Sequence, residues 1–127
     1  MNGGKRVLVV DDDDSIRDII DMALSDEGYE VRTAADGSSA LTLLQQWQPD
    51  VILLDMRMPG TDGWAFADAY RQRPEPRPAI IVLTAAGDAS TWAGEIEAED
   101  VLAKPFDLED LLDIVGRYAA SSGSRVS

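Results

Sequence analysis

The sequence contains no histidine and no cysteine, and these two absences exclude several kinds of chemistry. Without imidazole, the chain has no histidine general base, no histidine metal ligand and no phosphohistidine of its own. Without thiols, it has no disulfide framework and no thiolate metal site. Long apolar runs are also missing, since none approaches the roughly 18 residues that a membrane-spanning helix needs. No signal peptide opens the chain, so we expect a cytoplasmic protein without membrane contact.

The charge balance is strongly acidic, with 24 Asp and Glu residues, 11 Lys and Arg residues and a net charge of −13. Such a chain repels the phosphate backbone of nucleic acid and anionic membrane surfaces. We therefore expect no direct binding to nucleic acid. The length of 127 residues fits one domain with a substantial core. We expect a flexible lead at 1–4, the domain at 5–118 and a disordered tail at 119–127.

Short apolar runs alternate with amphipathic helical patterns along the chain. Consecutive apolar residues predict buried strands, and alternation of apolar and polar residues predicts an edge strand. The predicted strands are 7–10, 29–34, 51–54, 79–83 and 101–103. Strands and helices that alternate in this way predict an α/β fold. We expect a doubly wound, five-stranded parallel sheet in the order 2-1-3-4-5, with helices on both faces.

Polar side chains stand at the carboxyl ends of four predicted strands. Asp11 and Asp12 follow the first strand, Asp55 the third, Thr84 the fourth and Lys104 the fifth. In an open parallel sheet these ends meet at one edge, where ligands bind. Oxygen ligands without histidine or cysteine suit Mg²⁺, which binds through one or two carboxylates and a phosphate. A carboxylate, a metal ion, an ammonium and a hydroxyl together predict a phosphoryl-transfer site that forms an aspartyl phosphate.

The motifs around these residues resemble those of a response-regulator receiver domain of the CheY-like superfamily, which acts in two-component signalling. They are Val-Val-Asp11-Asp12, Asp55-Met-Arg-Met-Pro-Gly-Thr-Asp-Gly, Leu-Thr84-Ala and Lys104-Pro-Phe, spread in this order over residues 5–118. Each motif alone is weak, but their order and placement together are specific. The resemblance implies a flavodoxin-like fold.

The resemblance also implies roles for individual residues. Asp55 would be the phosphoacceptor, with Thr84 and Lys104 in contact with the phosphoryl group. Mg²⁺ would be held by Asp12 directly, by Asp11 mainly through water, by Asp55 and by the backbone carbonyl of Arg57. The Lys104–Pro105 bond is expected to be cis. The donor would be a phosphohistidine on a sensor histidine kinase or a histidine phosphotransfer protein.

Under this interpretation the protein is a signalling switch rather than an enzyme, although it assists its own phosphotransfer and dephosphorylation. Phosphorylation of Asp55 would change the binding of an unidentified target through the strand-end loops, the fourth helix (predicted at 91–98), the fifth strand and the fifth helix (predicted after its cap, Asp107). Two departures from the family affect that region. Val101 stands where the family usually has Tyr or Phe, and Thr84 lies only 20 residues before Lys104. This spacing is shorter than the family implies and predicts a short or shifted fourth helix.

Two alternatives fit the sequence less well. A degenerate receiver would bind partners without phosphorylation, which Val101 permits but the intact set of site residues argues against. A small phosphatase of the haloacid dehalogenase type would use Asp11 as its nucleophile, because Asp11-Asp-Asp-Asp-Ser loosely resembles the first motif of that class. The chain is short for that fold.

Overall fold

The structure is a computed structural model that describes residues 5–55, 79–85 and 100–124. These residues form the strands β1 (Arg6–Val10), β2 (Glu30–Ala34), β3 (Val51–Asp55), β4 (Ala79–Ala85) and β5 (Asp100–Lys104). They also form the helices α1 (Asp14–Asp26), α2 (Gly37–Leu44) and α3 (Leu108–Ser124), the last being the fifth helix of the sequence prediction. None of these three helices is long and apolar enough to cross a membrane. The predicted fourth helix lies outside the described residues.

The five strands form one parallel sheet in the order β2-β1-β3-β4-β5, which confirms the predicted topology. The registers bring the carboxyl ends of the strands to a common edge. Val10 of β1 aligns with Ala34 of β2 and with Leu54 of β3, and Asp55 aligns with Leu83 of β4. Residues that follow these strands therefore start from neighbouring points on the sheet.

Each face of the sheet carries its own apolar layer, because successive strand residues point to opposite faces. One layer joins Leu8, Val10, Ile52, Leu54, Ile80 and Val82 to Ala40 and Leu44 of α2. The other joins Val7, Val9, Val51, Leu53, Ile81 and Leu83 to Ile20 and Leu24 of α1 and to Leu111, Ile114 and Val115 of α3. Helices on both faces explain why β3 is buried along its whole length.

Both ends of α1 are fixed by local hydrogen bonds. At its start, the Asp13 carboxylate accepts a hydrogen bond of 3.1 Å from the Ile16 N–H. At its end, Gly28 has a φ of 97° and donates its N–H to the Ser25 carbonyl at 3.0 Å. The Tyr29 N–H reaches back to the Leu24 carbonyl at 3.1 Å, which completes a Schellman motif. Gly28 is therefore the point at which the chain turns from α1 into β2.

Trp47 packs after α2 and closes the amino-terminal end of the sheet. The apolar spacing of the sequence predicts that Trp47 continues the face of α2, but the helix ends at Leu44. The indole N–H donates to the Glu30 carboxylate at 2.8 Å, and the guanidinium carbons of Arg6 and Arg32 lie 5.8 and 5.4 Å from the ring centroid. This hydrogen bond, together with the two arginine charges, lowers the pKa of Glu30 below its ordinary value.

The carboxyl-terminal helix corrects one expectation from the sequence. A disordered tail is predicted from residue 119, whereas α3 continues to Ser124 and Ala119 is only 2% exposed. Ala119 lies four residues after Val115, which itself lies four after Leu111, so it extends the same buried helical face. Ala119 is not recognisable from the sequence as a buried position, because its side chain is small. The composition of 119–127, which is rich in small and polar residues, predicts a disordered tail.

Substitution by alanine is expected to change the stability of the protein in opposite directions at two glycines. Gly28→Ala is expected to lower the free energy of unfolding by about 1–2 kcal/mol, because a Cβ is disfavoured at positive φ. Gly116→Ala lies within α3, where a Cβ would sit 3.7 Å from the Tyr29 hydroxyl in ordinary contact. It is expected to raise the free energy of unfolding by about 0.5–1 kcal/mol. Urea unfolding checks both, and a stabilising Gly28→Ala would contradict the assigned turn.

Candidate functional site

Asp11 lies at the edge where the strands end, and several hydrogen bonds anchor it. It directly follows β1 and is fully buried. Its backbone N–H donates to the Ala34 carbonyl at 3.1 Å, and its Oδ1 accepts the Asp13 N–H at 2.9 Å. Its Oδ2 accepts a charge-assisted hydrogen bond of 2.9 Å from Lys104 Nζ. Backbone and side chain of Asp11 are thus both held in place.

Lys104 joins the carboxylates that follow β1 and end β3. Besides its contact with Asp11, its Nζ lies 3.7 Å from Oδ2 of Asp55. The side chain of Asp55 is 8% exposed and that of Lys104 24% exposed. Carboxylates removed from water in this way are costly unless a counter-charge lies close by. Lys104 supplies that counter-charge to two carboxylates at once.

Asp12 completes an acidic cluster with Asp11 and Asp55. One carboxylate oxygen from each of the three lies within 4.8 Å of the others, and Asp12 is exposed whereas the other two are buried. Three carboxylates and the ammonium of Lys104 leave a formal charge of −2, which a divalent cation would balance. Because all available ligands are oxygens, the donor set fits Mg²⁺. The exposed position of Asp12 leaves the cluster open to water and to a ligand.

The structure brings four of the predicted site residues together: Asp11, Asp12, Asp55 and Lys104. Thr84 lies in β4 opposite Ala103, one position past the residue that pairs with Asp55, and its side chain is outside the described residues. Arg57 is also outside them. The Lys104–Pro105 bond is cis, as expected. Val101 is half-buried in β5 and packs against the apolar layer of α2.

The environment of Asp11 argues against its use as a nucleophile. Both of its carboxylate oxygens accept hydrogen bonds, and its side chain is fully buried. A nucleophile needs access to its substrate, and the Asp11 side chain has no exposed surface whereas that of Asp55 is 8% exposed. The phosphatase alternative, which assigns the nucleophile to Asp11, therefore loses its geometric support.

Arg17 contacts the loop between β1 and α1, although it belongs to none of the sequence motifs of the site. Its Nη1 donates to the backbone carbonyl of Asp11 at 2.7 Å, and its Nη2 pairs with the Asp14 carboxylate. The spacing of three residues between Asp14 and Arg17 on a predicted helix is a sequence signal for the second contact. No spacing rule predicts the first, because the carbonyl of Asp11 lies before the helix begins.

Comparison with known proteins agrees with this geometry. The family described as "Response regulator receiver domain" matches residues 7–116. This chain belongs to the response-regulator receiver family. The chemotaxis protein CheY4 of Vibrio cholerae has a solved structure that covers 91% of this chain and 99% of its own, with a TM-score of 0.82 and 37% identity. The receiver assignment thus holds for sequence and fold alike.

Two curated relatives are named as regulators of transcription. The probable transcriptional regulator ycf27 of Cyanophora paradoxa is 46% identical over 109 residues, which are 84% of this chain and 45% of the relative. The DNA-binding dual master transcriptional regulator RpaA of Synechocystis sp. is 38% identical over 112 residues, or 84% of this chain and 46% of the relative. The receiver chain therefore spans less than half the length of either.

These names overturn one expectation. The acidic charge of the chain predicts a protein that does not bind nucleic acid, but a relative that matches most of this receiver is named as DNA-binding. The prediction is wrong because the net charge of these 127 residues describes only their own surface. It says nothing about nucleic-acid binding by a larger protein that contains a receiver domain.

Substitution of Asp12 is expected to have opposite effects on two quantities: the stability of the metal-free protein and the stability gained from Mg²⁺. Mg²⁺ at ten times its dissociation constant is expected to raise the free energy of unfolding of the wild type by about 1.4 kcal/mol. Without Mg²⁺, the Asp12→Asn substitution should raise the free energy of unfolding by about 1 kcal/mol, because the loss of one negative charge relieves repulsion within the cluster. The same variant should gain much less from Mg²⁺.

Asp113→Asn on the exposed side of α3 is the matched control, since it removes one negative charge outside the cluster. It should retain the full gain in stability from Mg²⁺. Urea unfolding with and without MgCl₂ measures all three proteins. An Asp12→Asn variant that gains as much from Mg²⁺ as the wild type would contradict the proposed ligand.

Proposed function

We propose that the chain is a phosphorylation-controlled switch whose phosphoacceptor is Asp55. The observation that carries the proposal is the convergence of Lys104 on Asp11 and Asp55 beside the exposed carboxylate of Asp12. In such a site an oxygen of the Asp55 carboxylate attacks the phosphorus of a phosphohistidine. The new P–O bond forms as the P–N bond breaks, and the departing imidazole nitrogen keeps the electron pair and accepts a proton. The products are an acyl phosphate and a neutral histidine.

Each residue of the site has a separate role in the proposed transfer. Lys104 is placed to bind negative charge on the incoming phosphoryl group, because its ammonium already lies 3.7 Å from the acceptor carboxylate. Asp11 orients Lys104 through their 2.9 Å contact. Asp11, Asp12 and Asp55 would hold Mg²⁺, and that ion supplies charge neutralisation between the phosphoryl oxygens and the carboxylates. The chain would assist this transfer and the later hydrolysis of the acyl phosphate, which restores the Asp55 carboxylate and releases inorganic phosphate, without turning over an external substrate.

The output that we propose is control of transcription in a larger assembly. The support is that ycf27 and RpaA, which match 84% of this chain, are named as transcriptional regulators. We propose that phosphorylation of the receiver controls DNA binding in that assembly, since RpaA is named as DNA-binding.

An apolar groove between α1 and the start of α3 is a candidate surface for docking of a protein donor. The groove has a volume of about 790 Å³ and is lined by Ile19 and Met22 of α1 and by Leu108 at the start of α3. These three side chains are 50%, 73% and 43% exposed, unusually high for large apolar residues. We propose that a helix of the phosphohistidine donor docks in this groove, whose Leu108 follows Lys104 by four residues in the chain.

Replacement of the acceptor tests the central claim. The wild type, treated with acetyl phosphate and Mg²⁺, is expected to gain one base-labile phosphoryl group, whereas Asp55→Asn should gain none because an amide oxygen is a poor nucleophile. Asp113→Asn should react at the wild-type rate. Intact-mass spectrometry measures uptake, and peptide mapping after borohydride reduction locates it.

Three outcomes would count against this assignment. Label on Asp11 would favour the phosphatase alternative, and no label on the wild type would favour a degenerate receiver. Uptake by Asp55→Asn at the wild-type rate would remove Asp55 from the mechanism.

The groove gives a second prediction. The double variant Ile19→Gln, Met22→Gln keeps helix-forming residues at exposed positions but removes the apolar contact area. Transfer from a phosphorylated histidine kinase that reacts with the wild type should slow by about tenfold, the effect of losing about 1.4 kcal/mol of docking energy. The rate with acetyl phosphate should not change, because that donor needs no docking. Equal slowing with both donors would show damage to the site itself.

A further inference from the structure

Arg17 lies in an unfavourable place for a cation that serves only the helix. It belongs to the first turns of α1, and its guanidinium turns back toward the amino-terminal end of that helix. The helix dipole disfavours positive charge at this end. The side chain is nevertheless only 17% exposed. Some other interaction must therefore keep the guanidinium here.

The pair that Arg17 makes with Asp14 does not explain this placement. The side chain of Asp14 is 84% exposed, and ion pairs of this kind between residues three apart contribute a few tenths of a kcal/mol. The second contact is of a different kind. Nη1 of Arg17 donates to the backbone carbonyl of Asp11 at 2.7 Å, in the loop that connects β1 with α1. A planar, forked guanidinium can hold a carbonyl and a carboxylate at once.

The carbonyl of Asp11 belongs to the peptide unit that connects Asp11 with Asp12. Because a peptide unit is planar, a bond that fixes its oxygen also fixes the direction in which the chain enters Asp12. Asp11 has further anchors in Ala34, Asp13 and Lys104. Within the described part of the chain, no group donates a hydrogen bond to the Asp12 carboxylate. The orientation of Asp12 thus depends on its backbone.

Electrostatics alone would turn Asp12 away from the cluster. Its carboxylate is exposed to water, and an oxygen of each of two buried carboxylates lies within 4.8 Å of one of its own. Like charges at this separation repel, and an exposed side chain can relieve the repulsion by rotating into solvent. A fixed backbone limits how far the Asp12 carboxylate can move away from the other two.

We propose that Arg17 is a positioning residue for the cation site: it clamps the Asp11–Asp12 peptide unit so that the Asp12 carboxylate stays turned toward Asp11 and Asp55. The proposal rests on the proposed function, since it assigns Arg17 a part in binding the divalent cation of that site. Arg17 touches neither the cation nor the phosphoryl group in this arrangement. It acts through the backbone of the residue before Asp12.

The sign of one measurement distinguishes this role from a simple charge effect. Removal of a positive charge near a cation site strengthens cation binding if only Coulomb forces matter. Removal of a positioning residue weakens binding, and loss of a group that orients metal ligands typically costs 10- to 100-fold in affinity. The two explanations therefore predict opposite changes for Arg17→Gln.

The experiment measures binding of Mn²⁺ to the full 127-residue chain by the electron paramagnetic resonance signal of the free ion, with Mg²⁺ as competitor. Arg17→Gln is expected to bind Mn²⁺ about tenfold more weakly than the wild type. Arg17→Lys keeps the charge but lacks the fork, so it should also lose affinity. Arg117→Gln removes an arginine that is 66% exposed on α3 and should bind as the wild type does.

Urea unfolding of each variant separates positioning from stability. A purely structural Arg17 would lower the free energy of unfolding but leave the Mn²⁺ affinity of the folded protein unchanged. If Arg17→Gln fails to fold, the Mn²⁺ affinity of Arg17→Lys tests the same role. Amide NMR of the metal-free protein should show shifts at Asp12 and Asp13 in either variant, because the peptide unit before Asp12 is released.

The outcomes separate this proposal from the proposed function. A wild type that binds no Mn²⁺ at millimolar concentration would overturn both. A wild type that binds, with an Arg17→Gln variant that binds as tightly or more tightly, would overturn the role of Arg17 and leave the switch intact. Full wild-type affinity in Arg17→Lys would likewise overturn the claim that the forked contact of the guanidinium holds the peptide unit in place.

Discussion

The need to neutralise two buried carboxylates governs the architecture of the site. Asp11 and Asp55 are almost completely removed from water, and the ammonium of Lys104 lies 2.9 and 3.7 Å from them. In the sheet, β3 and β4 separate β1 from β5. The ion pair between Asp11 and Lys104 therefore connects residues 93 positions apart and spans most of the sheet. The site exists only when all of these strands are paired in register, so its chemistry depends on the whole fold.

Much of the site could be predicted because parallel strands bring their carboxyl ends together. Asp11 and Asp55 each follow or end an uncharged apolar run, and Lys104 ends a shorter one. Strand order then places these residues at one edge without any knowledge of side-chain packing. The fold was predictable for the same reason, since both the apolar runs and the helical faces between them are local patterns.

The contacts that could not be predicted depend on three-dimensional proximity. Trp47 does not extend α2 as its spacing suggests, because the indole N–H is satisfied by Glu30 on the edge strand and two arginines flank the ring. Ala119 is buried although composition marks its surroundings as a tail. Arg17 reaches a backbone carbonyl, which no residue pattern encodes. In each case the tertiary neighbour, and not the local sequence, decides where the residue lies.

The unequal contacts of Lys104 connect the resting site with its proposed use. Its ammonium lies closer to Asp11 than to Asp55 by almost an ångström. Phosphorylation of Asp55 would add up to two negative charges beyond the carboxylate and so shift the balance of attraction away from Asp11. Besides its bond with Lys104, Asp11 donates its N–H to the Ala34 carbonyl, and its Oδ1 accepts the Asp13 N–H. In the proposed switch, Lys104 would turn from Asp11 toward the phosphoryl group while these two other bonds hold Asp11, and that movement would reach β5, which ends at Lys104.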